Sequence, residues 1–204
     1  GKVLEEHLLS KEAAKKAIAI GRKYDTLLEV YFDGQGYAQK DEIAQVRKYH
    51  KNPNMWDYFL RTRIAVDRLE DLLDEKEGDL DKVQMLFADM EEREEAWKEL
   101  EREGVFELVG SLQYNIEINA VGVNKGTGLV NLGKMLGIRR EEIMTCGDGD
   151  NDIAMLKEVG FGVAMANAEE KVKAVADYIT ESNKDEGAAK AIEKFVLKRG
   201  GESC

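Results

Sequence analysis

The sequence predicts an α/β protein in two parts, an α+β domain over residues 1–120 and a stretch of alternating helices and strands over residues 121–204. Two observations carry that reading. From Gly122 onward helical and strand-like segments alternate without a break, which argues for parallel strands joined by crossover helices. Before that point a hairpin signal, together with a strand of alternating polarity, argues for antiparallel strands. No repeat or low-complexity segment interrupts either part.

The elements follow in order. Residues 2–9 read as a short strand. Ser10 is placed to cap a helix from Lys11 to Tyr24, whose Ala14, Ala17, Ile18 and Gly21 make a small-residue face. Thr26 to Phe32 is β-branched and aromatic. Asp33-Gly34-Gln35-Gly36 turns it back into Tyr37-Ala38-Gln39, a hairpin. Asp41 opens a helix that ends by Lys51, and Asn52-Pro53-Asn54 is a loop. Residues 64–75 read as a helix on Leu69, Leu72 and Leu73, and Lys82 to Ala88 as a buried strand on Val83, Met85 and Phe87. Asp89 and Glu92 have capping-box spacing before the helix of Trp97 and Leu100. Residues 105–109 and 114–120 read as strands. In the second, Ile116 and Ile118 alternate with Asn115, Glu117 and Asn119, which predicts one wet face. The second part then runs helix 126–136, strand 143–147, helix 151–158, strand 161–165, helix 168–176, strand 177–180 and helix 187–197.

The 204 residues, 43% of them hydrophobic and 7% aromatic, suffice for a core. Asp and Glu outnumber Lys and Arg by 41 to 30, giving a net charge of −11, which disfavours nucleic acid as a partner. No apolar stretch approaches the length of a membrane span, and no signal peptide is visible, so the expectation is a cytoplasmic protein. Cys146 and Cys204 show no metal-type spacing. Cys146 sits in an apolar run and reads as buried, Cys204 as exposed, and a reducing compartment fits both. The chain opens Gly1-Lys2-Val3-Leu4 without an initiator Met, which reads as a processed product or a piece of something longer.

Chemistry concentrates at Gly147-Asp148-Gly149-Asp150-Asn151-Asp152, after the apolar run Ile143-Met144-Thr145-Cys146. Parallel sheets bind ligands at the carboxyl ends of their strands, where this loop would lie. Three carboxylates and an amide so close repel one another unless a cation or strong donors are present, and an all-oxygen set favours Mg²⁺ or Ca²⁺ over zinc. A helix-capping loop with no ligand is the plain alternative. An EF-hand is not, because it needs Gly and Glu where Ile153 and Val159 stand. A second signal is Gly122-Val123-Asn124-Lys125-Gly126-Thr127-Gly128. A lysine among glycines at a helix start can reach an anion while backbone N–H groups assist, although a solvated turn lysine would look the same. It is not a P-loop, and Gly126, Gly128 and Gly133 do not fit the dinucleotide spacing. Together the lysine and the acidic loop supply what a phosphoryl group wants, a cationic side chain and carboxylates for a metal ion.

These motifs, continued by Gly160-Phe161-Gly162-Val163-Ala164-Met165-Ala166-Asn167-Ala168, Ala176-Asp177-Tyr178-Ile179-Thr180 and Ser182-Asn183, resemble the third and fourth motifs of Cof-type phosphatases of the haloacid dehalogenase (HAD) superfamily. Residues 2–120 are similar to the large α+β cap of those enzymes. The resemblance implies that residues 121–204 are the C-terminal half of a Rossmann-like HAD core and that residues 1–120 are a class IIB cap which selects the substrate. It implies Mg²⁺ as cofactor and a small phosphorylated metabolite, such as a sugar phosphate, as substrate. Lys125 would hold the transferring phosphoryl group. Asp148 would bind Mg²⁺, with Asn151 and Asp152 supporting that shell and Asp152 one step removed from the ion. Asn151 would also face the phosphate. Three features depart from the family. No early strand ending in the catalytic Asp-x-Asp is found, nor the Ser/Thr of the second motif. Ala120 and Asn124 replace a common proline and serine. The resemblance therefore implies a chain that is inactive alone. The open core edge would be covered by the segment carrying those motifs or by a second copy. A non-catalytic binding module or remnant is the alternative.

Overall fold

The computed structural model describes residues 3–197, and these fall into two compact units that meet between Val123 and Asn124.

The N-terminal unit comprises α1 (Lys11–Gly21), β1 (Thr26–Phe32), β2 (Gln35–Gln39), α2 (Lys40–Ala44), α3 (Val46–Tyr49), α4 (Asn54–Thr62), β3 (Ile64–Val66), α5 (Leu69–Glu75), β4 (Lys82–Phe87), α6 (Met90–Glu103), β5 (Glu107–Val109) and β6 (Asn115–Asn119). The strands form one sheet in the order β3-β2-β1-β4-β6-β5, antiparallel except for the parallel pair β2–β3. Successive strand side chains point to opposite faces, so the sheet has two cores. Leu28, Val30, Val83, Met85, Ile116 and Ile118 pack with Ala14 and Ile18 of α1, Leu69 and Leu73 of α5, and Leu100 of α6. Leu27 and Leu86 pack on the other face with Val46, Tyr49 and Phe59.

Several expectations need correcting here. Residues 3–8 form no strand; Leu9 alone makes a bridge, to Leu80, and Lys2 lies outside the described residues. Residues 64–66 are a strand rather than a helix start. Ile64 and Val66 are β-branched, suit a pleated edge and pair with β2, while the apolar helical spacing begins only at Leu69. Pro53 precedes a helix, α4, which begins at Asn54 inside the expected loop and runs through a stretch for which the sequence predicts no element. Asp89 caps α6 by accepting from the Glu91 and Glu92 N–H groups. The capping box does not close, because Glu92 accepts from the Asp25 N–H instead. The face of β6 expected to be wet is largely covered. Asn115 is fully buried, and its amide oxygen holds the Ser111 and Leu112 N–H groups.

The C-terminal unit comprises α7 (Lys125–Met135), β7 (Met144–Gly147), α8 (Ile153–Glu158), β8 (Phe161–Ala164), α9 (Glu170–Lys173), β9 (Tyr178–Ile179) and α10 (Gly187–Phe195). Its strands form a parallel sheet in the order β7-β8-β9. The alternation read from sequence holds, with α9 much shorter than the expected helix 168–176. Among the described residues β7 pairs on one side only. Cys146 on β7 is half-buried rather than buried, and burial pushes its thiol pKa up. Cys204 lies outside the described residues. No described helix is long and apolar enough to cross a membrane.

One buried ion pair stands out in the N-terminal unit. Glu29 of β1 has no exposed surface and is paired with Arg63, which follows α4. The Tyr31 hydroxyl at 3.0 Å and Gln84 Nε2 at 3.1 Å also donate to it. Burial pushes the Glu29 carboxyl up, and Arg63 opposes that shift. Removing the guanidinium strands a buried carboxylate. Arg63→Ala is therefore expected to lose about 3–5 kcal/mol of stability. Urea denaturation measures this, and a loss below about 1 kcal/mol would contradict it.

Candidate active site

The candidate site is assembled where β7 ends. The chain leaves the strand at Gly147, crosses Asp148 and Gly149, makes a 3₁₀ turn over Asp150–Asp152, and enters α8. Two glycines permit so tight a path. A Cβ on Gly147 would lie 2.5 Å from the Asp152 Cβ, and one on Gly149 would lie 2.7 Å from Asn151 Oδ1.

The turn folds Asp152 back beneath its own loop. Asp152 is 6% exposed, and its Oδ2 accepts from the N–H groups of Asp148 and Gly149, each at 3.0 Å. Its Oδ1 takes the ammonium of Lys125 at 2.6 Å. Burial alone would raise the Asp152 pKa. The hydrogen bonds from Lys125 and from the two backbone donors outweigh burial and hold the carboxyl below the usual range.

Lys125 is the first residue of α7, and Asn124 caps that helix. The Asn124 side-chain oxygen accepts from the Gly126 N–H at 2.9 Å and the Thr127 N–H at 3.0 Å, and Thr127 returns a bond to the Asn124 N–H. This alters one expectation. Two of the backbone N–H groups expected to assist Lys125 with an anion, those of Gly126 and Thr127, are engaged by the cap. The Lys125 ammonium, on a half-exposed side chain, is what the helix start offers. Asn124 departs from the serine common in the family. Its residue type and position before a helix are N-cap signals in their own right.

The remaining acidic residues are not equivalent. Asp150 is paired with Lys171 of α9 at 2.5 Å, and that carboxylate raises the Lys171 pKa. Asp148 is exposed. Its Oδ2 accepts from Asn167 Nδ2 at 2.8 Å, and no described lysine or arginine pairs with it. Asp150 and Asp152 thus each have a lysine, and Asp148 has an amide alone. Asn151 lies half-buried on the turn, over Gly149.

The structure brings Lys125, Asp148, Asn151 and Asp152 together. Of the carboxylates, Asp148 fits a hard cation best, because its charge is unbalanced and it faces solvent. Asp152, with both oxygens held by protein donors, fits a supporting place. Among the described residues no cluster of three or more His, Cys, Asp or Glu side chains is arranged to hold a metal ion. A Mg²⁺ ion usually keeps several waters and takes one or two carboxylates together with substrate phosphate, so a single ligand from this loop is compatible with it.

Comparison with known proteins agrees with the class that fold and site define. A family model described as haloacid dehalogenase-like hydrolase matches residues 1–192, and the chain belongs to that family. The chain is 48% identical over 105 residues to the 5-amino-6-(5-phospho-D-ribitylamino)uracil phosphatase YcsE of Bacillus subtilis, an alignment covering 52% of this chain and 42% of that protein. It is 44% identical over 94 residues to a phosphoglycolate phosphatase of Methanosarcina mazei, covering 46% of this chain and 41% of the relative. The matches thus span about two fifths of the length of these relatives. The solved structure of a haloacid dehalogenase-like hydrolase from B. subtilis superposes with a TM-score of 0.81 at 26% identity, covering 97% of this chain and 74% of that one.

Asp152 makes stability depend on acid. Its pKa is depressed on folding, so its contribution is complete above the unfolded value of about 3.9 and is lost as pH falls through the lower folded value. Asp152→Ala is expected to lose about 1.5–3 kcal/mol at neutral pH. Asp152→Asn should flatten the fall of the thermal midpoint in acid. An unchanged acid profile in Asp152→Asn would show that the carboxylate does not carry it.

Proposed function

We propose that this chain supplies the lysine and the metal-side carboxylate of a Mg²⁺-dependent phosphomonoester hydrolase acting on a small phosphorylated metabolite, sugar-phosphate-like in kind. One observation carries the reading. Asp152 joins Lys125 to the loop of Asp148, so an ammonium and an unbalanced carboxylate are held by the same buried group.

In this reading the Lys125 ammonium meets the phosphoryl oxygens and offsets the charge that builds on them during transfer. Asp152 keeps that ammonium aimed and stands behind the metal-side carboxylate. Asp148, one oxygen of which is taken by Asn167, would hold Mg²⁺, and Asn151 would support that shell and face the phosphate. A Mg²⁺ ion held there would supply Lewis-acid polarisation of the phosphoryl group.

The attacking aspartate and its acid–base partner are assigned outside residues 3–197. Asp148-Gly149-Asp150 has the letters of an Asp-x-Asp pair, but Asp150 is tied to Lys171 and Asp148 serves the metal. The unpaired edge of β7 is where a strand bearing that aspartate would add, from a preceding segment or, failing that, a second copy. Residues 1–204 alone are then inactive, since phosphate monoesters hydrolyse extremely slowly without a nucleophile and electrostatic help. The N-terminal unit is assigned the cap's task of choosing the substrate. The two relatives named for ribitylaminouracil phosphate and phosphoglycolate support a phosphorylated small molecule as the class.

The test is hydrolysis of an aryl phosphate with Mg²⁺, by residues 1–204 and by a form extended upstream to the next start codon. The extended form is expected to turn over, and the shorter one not. Lys125→Ala and Asp148→Asn in the extended form should each lower kcat by about 10²–10³. If both forms are folded and neither hydrolyses the ester, the phosphatase reading fails and a non-catalytic binding module replaces it.

A further inference from the structure

Asn167 and Asn183 have no role in the chemistry derived so far, yet Asn167 lies against the acidic loop and Asn183 holds Asn167. Asn167 follows β8 and is exposed, and its Nδ2 is 2.8 Å from Asp148 Oδ2. Its Oδ1 accepts from the backbone N–H of Asn183, also at 2.8 Å. Chemistry fixes which way this amide faces. A backbone N–H can only donate, so Oδ1 must meet Asn183. An ionised carboxylate can only accept, so Nδ2 must meet Asp148. The loops that carry the two asparagines are stitched together as well, since the Ala166 N–H donates to the Glu181 carbonyl at 3.3 Å.

We propose that Asn167 is a positioning residue for Asp148. Held by the Asn183 N–H, its amide takes one carboxylate oxygen and leaves the other turned outward for a divalent cation. This rests on the reading of Asp148 as the metal-side carboxylate. The logic is that of groups behind metal ligands generally, where a hydrogen bond fixes the orientation of the ligand and raises affinity. An amide suits the place better than a lysine would. It orients Asp148 without neutralising it, whereas Lys171 and Lys125 neutralise Asp150 and Asp152.

The proposal makes Asn183 act through its backbone and not its side chain, which separates two variants at one position. Asn183→Ala keeps the N–H. Asn183→Pro removes it with little strain, because Asn183 is the first residue of a 3₁₀ turn and Ser182 before it is extended, at φ −69 and ψ 166, which is compatible with a following proline.

The measurement is Mn²⁺ binding to the upstream-extended protein, read from the electron paramagnetic resonance signal of the free ion, with thermal midpoints recorded alongside. Asn167→Ala is expected to weaken Mn²⁺ about tenfold or more, and to raise by a similar factor the Mg²⁺ concentration that half-activates aryl phosphate hydrolysis. Asn183→Pro should weaken Mn²⁺ in the same direction, and Asn183→Ala should match the parent. If the parent binds Mn²⁺ and both Asn167→Ala and Asn183→Pro bind it equally well, the positioning role is overturned while the metal reading survives. Equal weakening by Asn183→Ala and Asn183→Pro would also overturn it, since the backbone donor would not be the cause. A parent that binds no Mn²⁺ overturns the metal reading, and this inference with it. Should Asn167→Ala fail to fold, the two Asn183 variants decide.

Discussion

The candidate site depends on one buried carboxylate whose two oxygens face different structures. Asp152 Oδ2 closes the loop by taking two backbone N–H groups, and Oδ1 takes the ammonium of Lys125 from the start of another helix. A buried carboxylate costs several kcal/mol in desolvation unless it is paired and hydrogen-bonded, and here it is both. The pairing cannot be relaxed piecemeal. Without the lysine the charge is stranded, and without the two N–H groups the loop loses the anchor that sets Asp148 and Asn151 over α8. Gly147 is part of the same constraint, because any side chain there would occupy the space of the Asp152 Cβ.

From that anchor the charges of the loop sort themselves. Three carboxylates lie within five residues. Two have a lysine, one from α7 and one from α9, and the third has an asparagine. Like charges packed so closely favour any arrangement that neutralises some of them. The residual negative charge is thereby concentrated at one exposed position, Asp148, at the carboxyl end of a parallel strand. That distribution, more than the number of acidic residues, gives the loop a direction in which a cation would be drawn.

How much of this could be read from the sequence follows from the range of each interaction. The loop Gly147–Asp152 is contiguous, so its residue types and its place after an apolar strand were legible. The helix cap at Ser10 is local and was legible too. Asn124 carries an equally local cap signal, and that signal alone predicts that the Gly126 and Thr127 N–H groups are engaged by the cap and not by a ligand. The strand Ile64–Val66 was misread because a three-residue strand is defined by its partner, β2, some 27 positions earlier in register. The expected box at Glu92 failed for a similar reason, since Asp25 competes for that side chain from far away in sequence. Lys171, Asn167 and Asn183 are brought to the loop only by the folding of β8, α9 and the following turn. No spacing rule would have placed them beside Asp150 and Asp148.

The same distinction bears on substrate choice. On the proposed reading, Lys125, Asp148 and Asp152 would address only what phosphate monoesters share, the phosphoryl group and the metal ion that accompanies it. Relatives named for a ribitylaminouracil phosphate and for phosphoglycolate are both close to this chain over about half its length, although the alcohols they are named for differ greatly in size and polarity. Chemistry common to such different esters cannot discriminate between them, because discrimination is a difference of contacts to the parts that differ. On that reading, whatever selects the leaving group would lie beyond the lysine and the acidic loop. On the same reading the N-terminal unit would carry it, and its six-stranded sheet has a second face with Glu29, Tyr31, Lys82, Gln84 and Glu117 in register across three strands.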